Sequence, residues 1–146
     1  MKARNAVATF LLGFSVLMLC NRATGQDVII VVNKGTSISQ IPLPQLREIF
    51  TGTRSRFSDG GRAIPVLLKG GPIHEVFLRH YVGDSPEEFR VRWRKAVFTG
   101  QGAMPREFIS EAAMLDYVGA TPGAIGYVSR VINPDAVKIL TICAQP

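Results

Sequence analysis

Apolar positions along the chain follow two rhythms, and each rhythm marks an element. Val28, Ile29, Ile30, Val31 and Val32 form an unbroken, mostly β-branched run. It predicts a strand covered on both faces, the kind found in parallel or mixed sheets with flanking helices. The spacing then turns helical: Leu43, Leu46, Ile49 and Phe50 share one face of a short helix that Pro42 and Pro44 open and Thr51-Gly52 ends. Residues 54–62 are polar and contain Asp59-Gly60-Gly61, which predicts a turn-rich surface loop, and residues 64–68 predict a second short buried strand.

Gly70-Gly71-Pro72 introduces the next helix, with Ile73, Val76, Phe77 and Tyr81 as its inward stripe and Gly83 as its stop. Ser85-Pro86-Glu87-Glu88 is a strong start signal, with Ser85 as N-cap, Pro86 in the first turn and Glu88 at the capping-box position. Phe89, Trp93, Ala96 and Val97 are expected to face inward from that helix, and Thr99-Gly100 closes it. A further helix over residues 111–118 is capped by Ser110 and ended by Gly119. Residues 124–128 and 137–143 supply two more strands. Strands alternating with helices at these spacings argue for one α/β domain. The echo between Glu48-Ile49-Phe50-Thr51-Gly52 and Ala96-Val97-Phe98-Thr99-Gly100 is explained by two helix C-termini without an internal repeat.

Composition narrows the class. The 146 residues carry 17 Lys+Arg against 11 Asp+Glu, a net charge of +6, with 47% apolar residues. That excludes a disordered chain, and the length suits one core better than two. The start is unlike the rest: Lys2 and Arg4 precede the apolar run 6–19, and Ala23-Thr24-Gly25 supplies small residues before Gln26. This pattern predicts a secretory signal peptide over 1–25 with cleavage between Gly25 and Gln26, a domain over 26–146, and a secreted or periplasmic protein. Two anchored alternatives stand beside it, a lipid on Cys20 and a retained apolar anchor. Leu19 is bulky where a lipobox carries a small residue, and the run is short for a bilayer span. After cleavage Cys143 is the lone cysteine, so no intrachain disulfide supports the fold, and its expected role is to close the last strand.

Catalytic chemistry is sparse. His74 and His80 fall on different sides of a helix without acidic or cysteine partners, which argues against a metal. Nucleophile elbows, phosphate loops and dinucleotide fingerprints are missing, and Glu75, Glu87, Glu88, Glu107 and Glu111 fit helix starts. No enzyme and no cofactor are expected.

Val31-Val32-Asn33, then 43–52 ending in Glu48-Ile49-Phe50-Thr51-Gly52, then Phe77, Trp93 and Phe98-Thr99-Gly100, then Pro122-Gly123-Ala124-Ile125-Gly126-Tyr127-Val128 together resemble the substrate-binding proteins of phosphate ABC transporters. The likeness corresponds to one lobe of that two-lobed clamshell. It implies a single lobe of a type 2 periplasmic-binding-protein-like fold, a mixed sheet with helices on both faces. It also implies a non-enzymatic binding module, with phosphate or another oxyanion as ligand and a transporter or other envelope protein as partner.

In that family a Ser-Gly-Thr turn at a helix N-terminus contacts phosphate, helped by a nearby Arg. The corresponding positions here are Gly71, Pro72 and Ile73, so both hydroxyls are replaced, and Lys69 and His74 are the nearest polar side chains. Lys69, Gly70, Gly71, Ile73 and His74 are therefore the candidate ligand-binding residues. A helix N-terminus contributes about 0.3 to 1 kcal/mol toward an anion, whereas millimolar binding requires about 4 kcal/mol. A scaffold that keeps the fold without the ligand is the alternative reading.

Basic residues outside that turn fall into two groups. Arg90, Arg92, Arg94 and Lys95 are expected to form the wet side of the helix carrying Trp93, with attraction to lipid headgroups or an acidic partner as the functional alternative. Arg54, Arg56 and Arg62 lie on a predicted loop and are the better anion contacts. Export argues against a nucleic-acid partner, and the cleaved chain would carry no membrane span.

Overall fold

A computed structural model describes residues 27–143. The predicted leader 1–25, with Cys20, lies outside the described residues. Six strands form one sheet: β1 (Ile29–Asn33), β2 (Gln40–Pro42), β3 (Ile64–Leu68), β4 (Arg106–Phe108), β5 (Ala124–Val128) and β6 (Val137–Cys143). Their order across the sheet is β2-β6-β1-β5-β3-β4. β1 runs antiparallel to both its neighbours, while β2 with β6, β3 with β5 and β3 with β4 pair in parallel. The sheet is mixed, as the sequence led one to expect.

The helices are α1 (Leu43–Phe50), α2 (Pro72–Phe77), α3 (Pro86–Phe98) and α4 (Glu111–Ala120). They cover both faces of the sheet, and successive residues of β5 show how. Gly126 meets Met114 of α4 on one side, while the ring of Tyr127 stacks on Phe77 of α2 on the other, with centroids 3.8 Å apart. Phe50 of α1 closes the second face at 4.7 Å from Phe77. Ile30, Val31 and Val32 of β1 are buried, which is why that strand reads as continuously apolar. Each such side chain withdrawn from water contributes about 1.5 to 3 kcal/mol.

Local signals place most helix ends. Ser85 Oγ accepts from the Glu88 N–H at 3.3 Å while Glu88 accepts from the Ser85 N–H at 2.8 Å, a complete capping box. Ser110 caps α4 through the Ala113 N–H. The echoed Phe-Thr-Gly ends share one capping chemistry: Thr51 Oγ1 donates to the Arg47 carbonyl and Thr99 Oγ1 to that of Lys95. Gly52 has φ +80°, and a Cβ there would lie 2.7 Å from the Trp93 ring, so both the turn and the close approach of the indole require glycine.

Five features depart from the sequence reading. β2 and β4 are three-residue strands on the sheet edges that no periodicity marked. The helix begun at Pro72 widens after Phe77 into a π-helical turn (Leu78–Val82) that Gly83 ends. There the Tyr81 carbonyl accepts from Arg47 Nε at 2.8 Å, a partner on α1 that stabilises the irregular turn. The fourth is Val97, expected to face inward, which is 46% exposed, while Phe89 and Trp93 are the buried residues of α3 and Ala96 packs partly against the core. The fifth is Gly119, expected to end α4, which lies within it because the helix continues to Ala120 with no left-handed turn at the glycine.

Candidate functional site

β3, β4 and β5 are mutually parallel, so their C-terminal ends open onto one edge of the sheet. Open α/β sheets bind ligands at such edges, where chain turns diverge. The turn leaving β3 carries Lys69, Gly70 and Gly71, and the Lys69 N–H donates to the Phe108 carbonyl at 2.8 Å, which fixes the turn beside the end of β4. Lys69 is exposed, and nothing lies within 4 Å of where a Cβ would sit on Gly70 or Gly71. A ligand can therefore approach this backbone closely. Gly71 adopts φ 96° and ψ 171° as the N-cap of α2, a conformation essentially confined to glycine.

The first turn of α2 leaves the Ile73 and His74 N–H groups without intrahelical acceptors. The Ile73 side chain itself is buried in the core at 5% exposure, so that residue offers the turn only its backbone. His74 is half-buried, and its Nδ1 lies 2.6 Å from the Tyr127 hydroxyl. The same hydroxyl accepts from the Leu68 N–H at 3.0 Å. Burial holds the His74 imidazole below its ordinary pKa of 6.5; Glu75 pulls it up and Arg90 pushes it further down. Burial pushes the Tyr127 phenol well above its usual value, so it stays protonated and can donate. The imidazole at this edge is thus a neutral, positioned ring rather than a fixed cation.

The exit of β5 is occupied by an internal contact. The Glu111 carboxylate at the start of α4 accepts from both the Ser129 N–H and the Ser129 hydroxyl, at 2.7 and 2.9 Å. That hydroxyl is used, and a carboxylate at the same edge weakens the attraction for an anion. Lys69, Gly70, Gly71 and His74 therefore form the candidate site together with the Ile73 N–H. The aromatic partner Tyr127 escaped the sequence reading, although it stands in the Gly126-Tyr127-Val128 block.

Arg54, Arg56 and Arg62 are placed elsewhere. They flank the opposite, N-terminal end of β3, in a hairpin closed by a bridge between Arg56 and Arg62. Arg54 Nε pairs with Glu48 at 2.7 Å, and an Arg56 guanidinium N–H donates to the Gly60 carbonyl. The length of β3 thus separates the loop arginines from the Lys69 turn. Among the described residues no group of three or more His, Cys, Asp or Glu side chains is arranged to hold a metal ion.

No family model matches the chain. Solved structures do. A phosphate ABC transporter substrate-binding protein from Clostridium perfringens, with bound phosphate, superposes with a TM-score of 0.61 at 18% identity, over 79% of this chain and 44% of that one. An ABC-type phosphate transport receptor from Vibrio cholerae gives 0.57 at 15% identity, over 79% and 45%. PstS from Borrelia burgdorferi gives 0.54 at 16% identity, over 82% and 48%. The chain spans a little under half the length of the solved structures it matches. Its fold is that of a single lobe of a phosphate-type periplasmic substrate-binding protein.

Proposed function

We propose that the chain is an exported, non-enzymatic binding module that receives phosphate or a related oxyanion at the turn formed by Lys69, Gly70, Gly71 and His74. The observation that carries this reading is the open, glycine-lined exit of β3 at the shared C-terminal edge of three parallel strands, with an exposed Lys69 beside it. Oxyanions suit such a place because unpaired N–H groups and the positive end of a helix favour negative charge. Export rests on the leader pattern in residues 1–25, and the likeness to phosphate-transport proteins supports the ligand class.

The site is thin. It has one ammonium, a neutral imidazole and a few backbone donors, with one lobe's wall. Affinity in isolation is therefore weaker than about millimolar, which would already require about 4 kcal/mol. Tighter capture requires a second wall facing this one. The test is an amide chemical-shift titration of the chain beginning at Gln26 with phosphate, and with sulfate as control, at low and high salt. Saturable shifts at Gly70, Gly71, Ile73 and His74 that weaken with salt and with Lys69→Gln support the reading. Absence of shifts at this turn overturns it in favour of a scaffold, the reading that the missing hydroxyl side chains favour.

A further inference from the structure

A second surface, away from the Lys69 turn, has its own chemistry. Phe98, the last residue of α3, is 92% exposed, and Val97 and Met104 beside it are 46% and 42% exposed. With Arg90 and Arg94 these residues line a shallow, almost wholly apolar depression of about 370 Å³. Met104 is shared with a neighbouring depression of about 400 Å³, whose lining includes Arg54, Arg62 and Arg106 beside Trp93. Five arginines thus border two adjoining hollows, and neither is lined by a carboxylate. Arg54 and Arg90 have carboxylate partners, Glu48 and Glu87, but these are exposed pairs that exchange readily. Arg92, by contrast, is held by Asp84 through two bonds of 2.9 Å and stays out of this surface.

We propose that this surface docks on an anionic lipid bilayer, with Phe98, Val97 and Met104 entering the interface and the arginines meeting the headgroup phosphates. Charge complementarity selects the occupant: projecting apolar side chains flanked on two sides by arginines match a surface that is negative outside and apolar just beneath. The exposure of Phe98 points the same way, because a ring standing free of the other described residues enters a soft medium without needing a pocket of matching shape. Ile64 and Pro65, at the start of β3, line the second hollow, while Lys69 follows the end of that strand. Docking therefore leaves the Lys69 turn at the other end of β3 free.

Sedimentation with vesicles tests this, using the chain that begins at Gln26, which retains every described strand and helix and lacks the apolar leader. The expected result is binding to vesicles of phosphatidylglycerol mixed into phosphatidylcholine, and little to phosphatidylcholine alone. Arg94→Gln should lower the partition coefficient about fivefold. Phe98→Ser should lower it about tenfold or more. Both side chains are exposed, so unchanged thermal melts will separate loss of docking from loss of fold. Equal binding to neutral and anionic vesicles, or indifference to both substitutions, overturns the proposal. So does self-association that Phe98→Ser abolishes in the absence of vesicle binding, which would make the surface a protein interface. Lys69→Gln should leave sedimentation unchanged, so failure of oxyanion binding and failure of lipid docking are separately visible.

Discussion

The Tyr127 hydroxyl, 2.6 Å from His74 Nδ1, joins β5 to the first turn of α2 across 53 residues of sequence. The same oxygen accepts from the Leu68 N–H, and the phenol, kept protonated by burial, can donate to Nδ1. In that arrangement the proton of the neutral imidazole sits on Nε2.

His74 should make stability fall in mild acid. Its folded pKa lies below the unfolded value of 6.5, so the unfolded chain takes up a proton first as pH drops. The contribution is full above 6.5, declines as pH falls from 6.5 to the depressed folded pKa, and is level below that. Glu75 and Arg90 modulate the value, and burial sets its direction. Urea midpoints across this window should show a decline that His74→Asn reduces, and a histidine titration by nuclear magnetic resonance should place His74 below 6.5.

Tyr127→Phe should destabilise the domain by about 1 to 3 kcal/mol, because the buried Leu68 N–H loses its acceptor. The same change frees Nδ1 to take a proton, so the His74 titration should move upward. Chemical denaturation and the histidine titration on one variant check both halves.

Gly71→Ala should cost about 1 to 3 kcal/mol although the space around it is open, since φ 96° with ψ 171° excludes a Cβ on backbone grounds. Gly70 does not share that conformation, so Gly70→Ala should be much milder. Thermal melts of the two variants make the comparison. A hydroxyl side chain cannot be placed at position 71 without rearranging this backbone.

Trp93→Ala should destabilise by about 3 to 5 kcal/mol. The indole is 3% exposed, packs over Gly52, and donates from Nε1 to the Phe50 carbonyl at 3.0 Å. Ser85→Ala, which removes only a capping oxygen, should cost about 1 kcal/mol. Denaturant midpoints that invert this order would refute the assignment of Trp93 as the anchor of α3.

By itself the sequence determined the elements whose signals are local. Apolar runs set β1, β3 and β5. Pro44, Pro72 and Pro86 marked helix starts, and the Ser85–Glu88 box and the Thr-Gly ends are satisfied by atoms a few residues apart. Tertiary structure alone decided the rest. β2 and β4 are strands only because β6 and β3 offer them hydrogen bonds, and their three residues are too few to show a period. The π-helical turn is met by Arg47, 34 residues from the carbonyl it binds. Val97 obeys the helical period yet, among the described residues, finds no element to cover it. The candidate site divided for the same reason: Lys69 and Arg62 are close in sequence, but the extended β3 between them sends the two basic groups to opposite ends of the strand. His74 gained Tyr127, a partner far along the chain, because parallel pairing and the packing of α2 bring their ends together. Periodicity and capping report how a segment meets its own neighbours, whereas edge pairing and side-chain partners depend on which distant segments come to lie beside it.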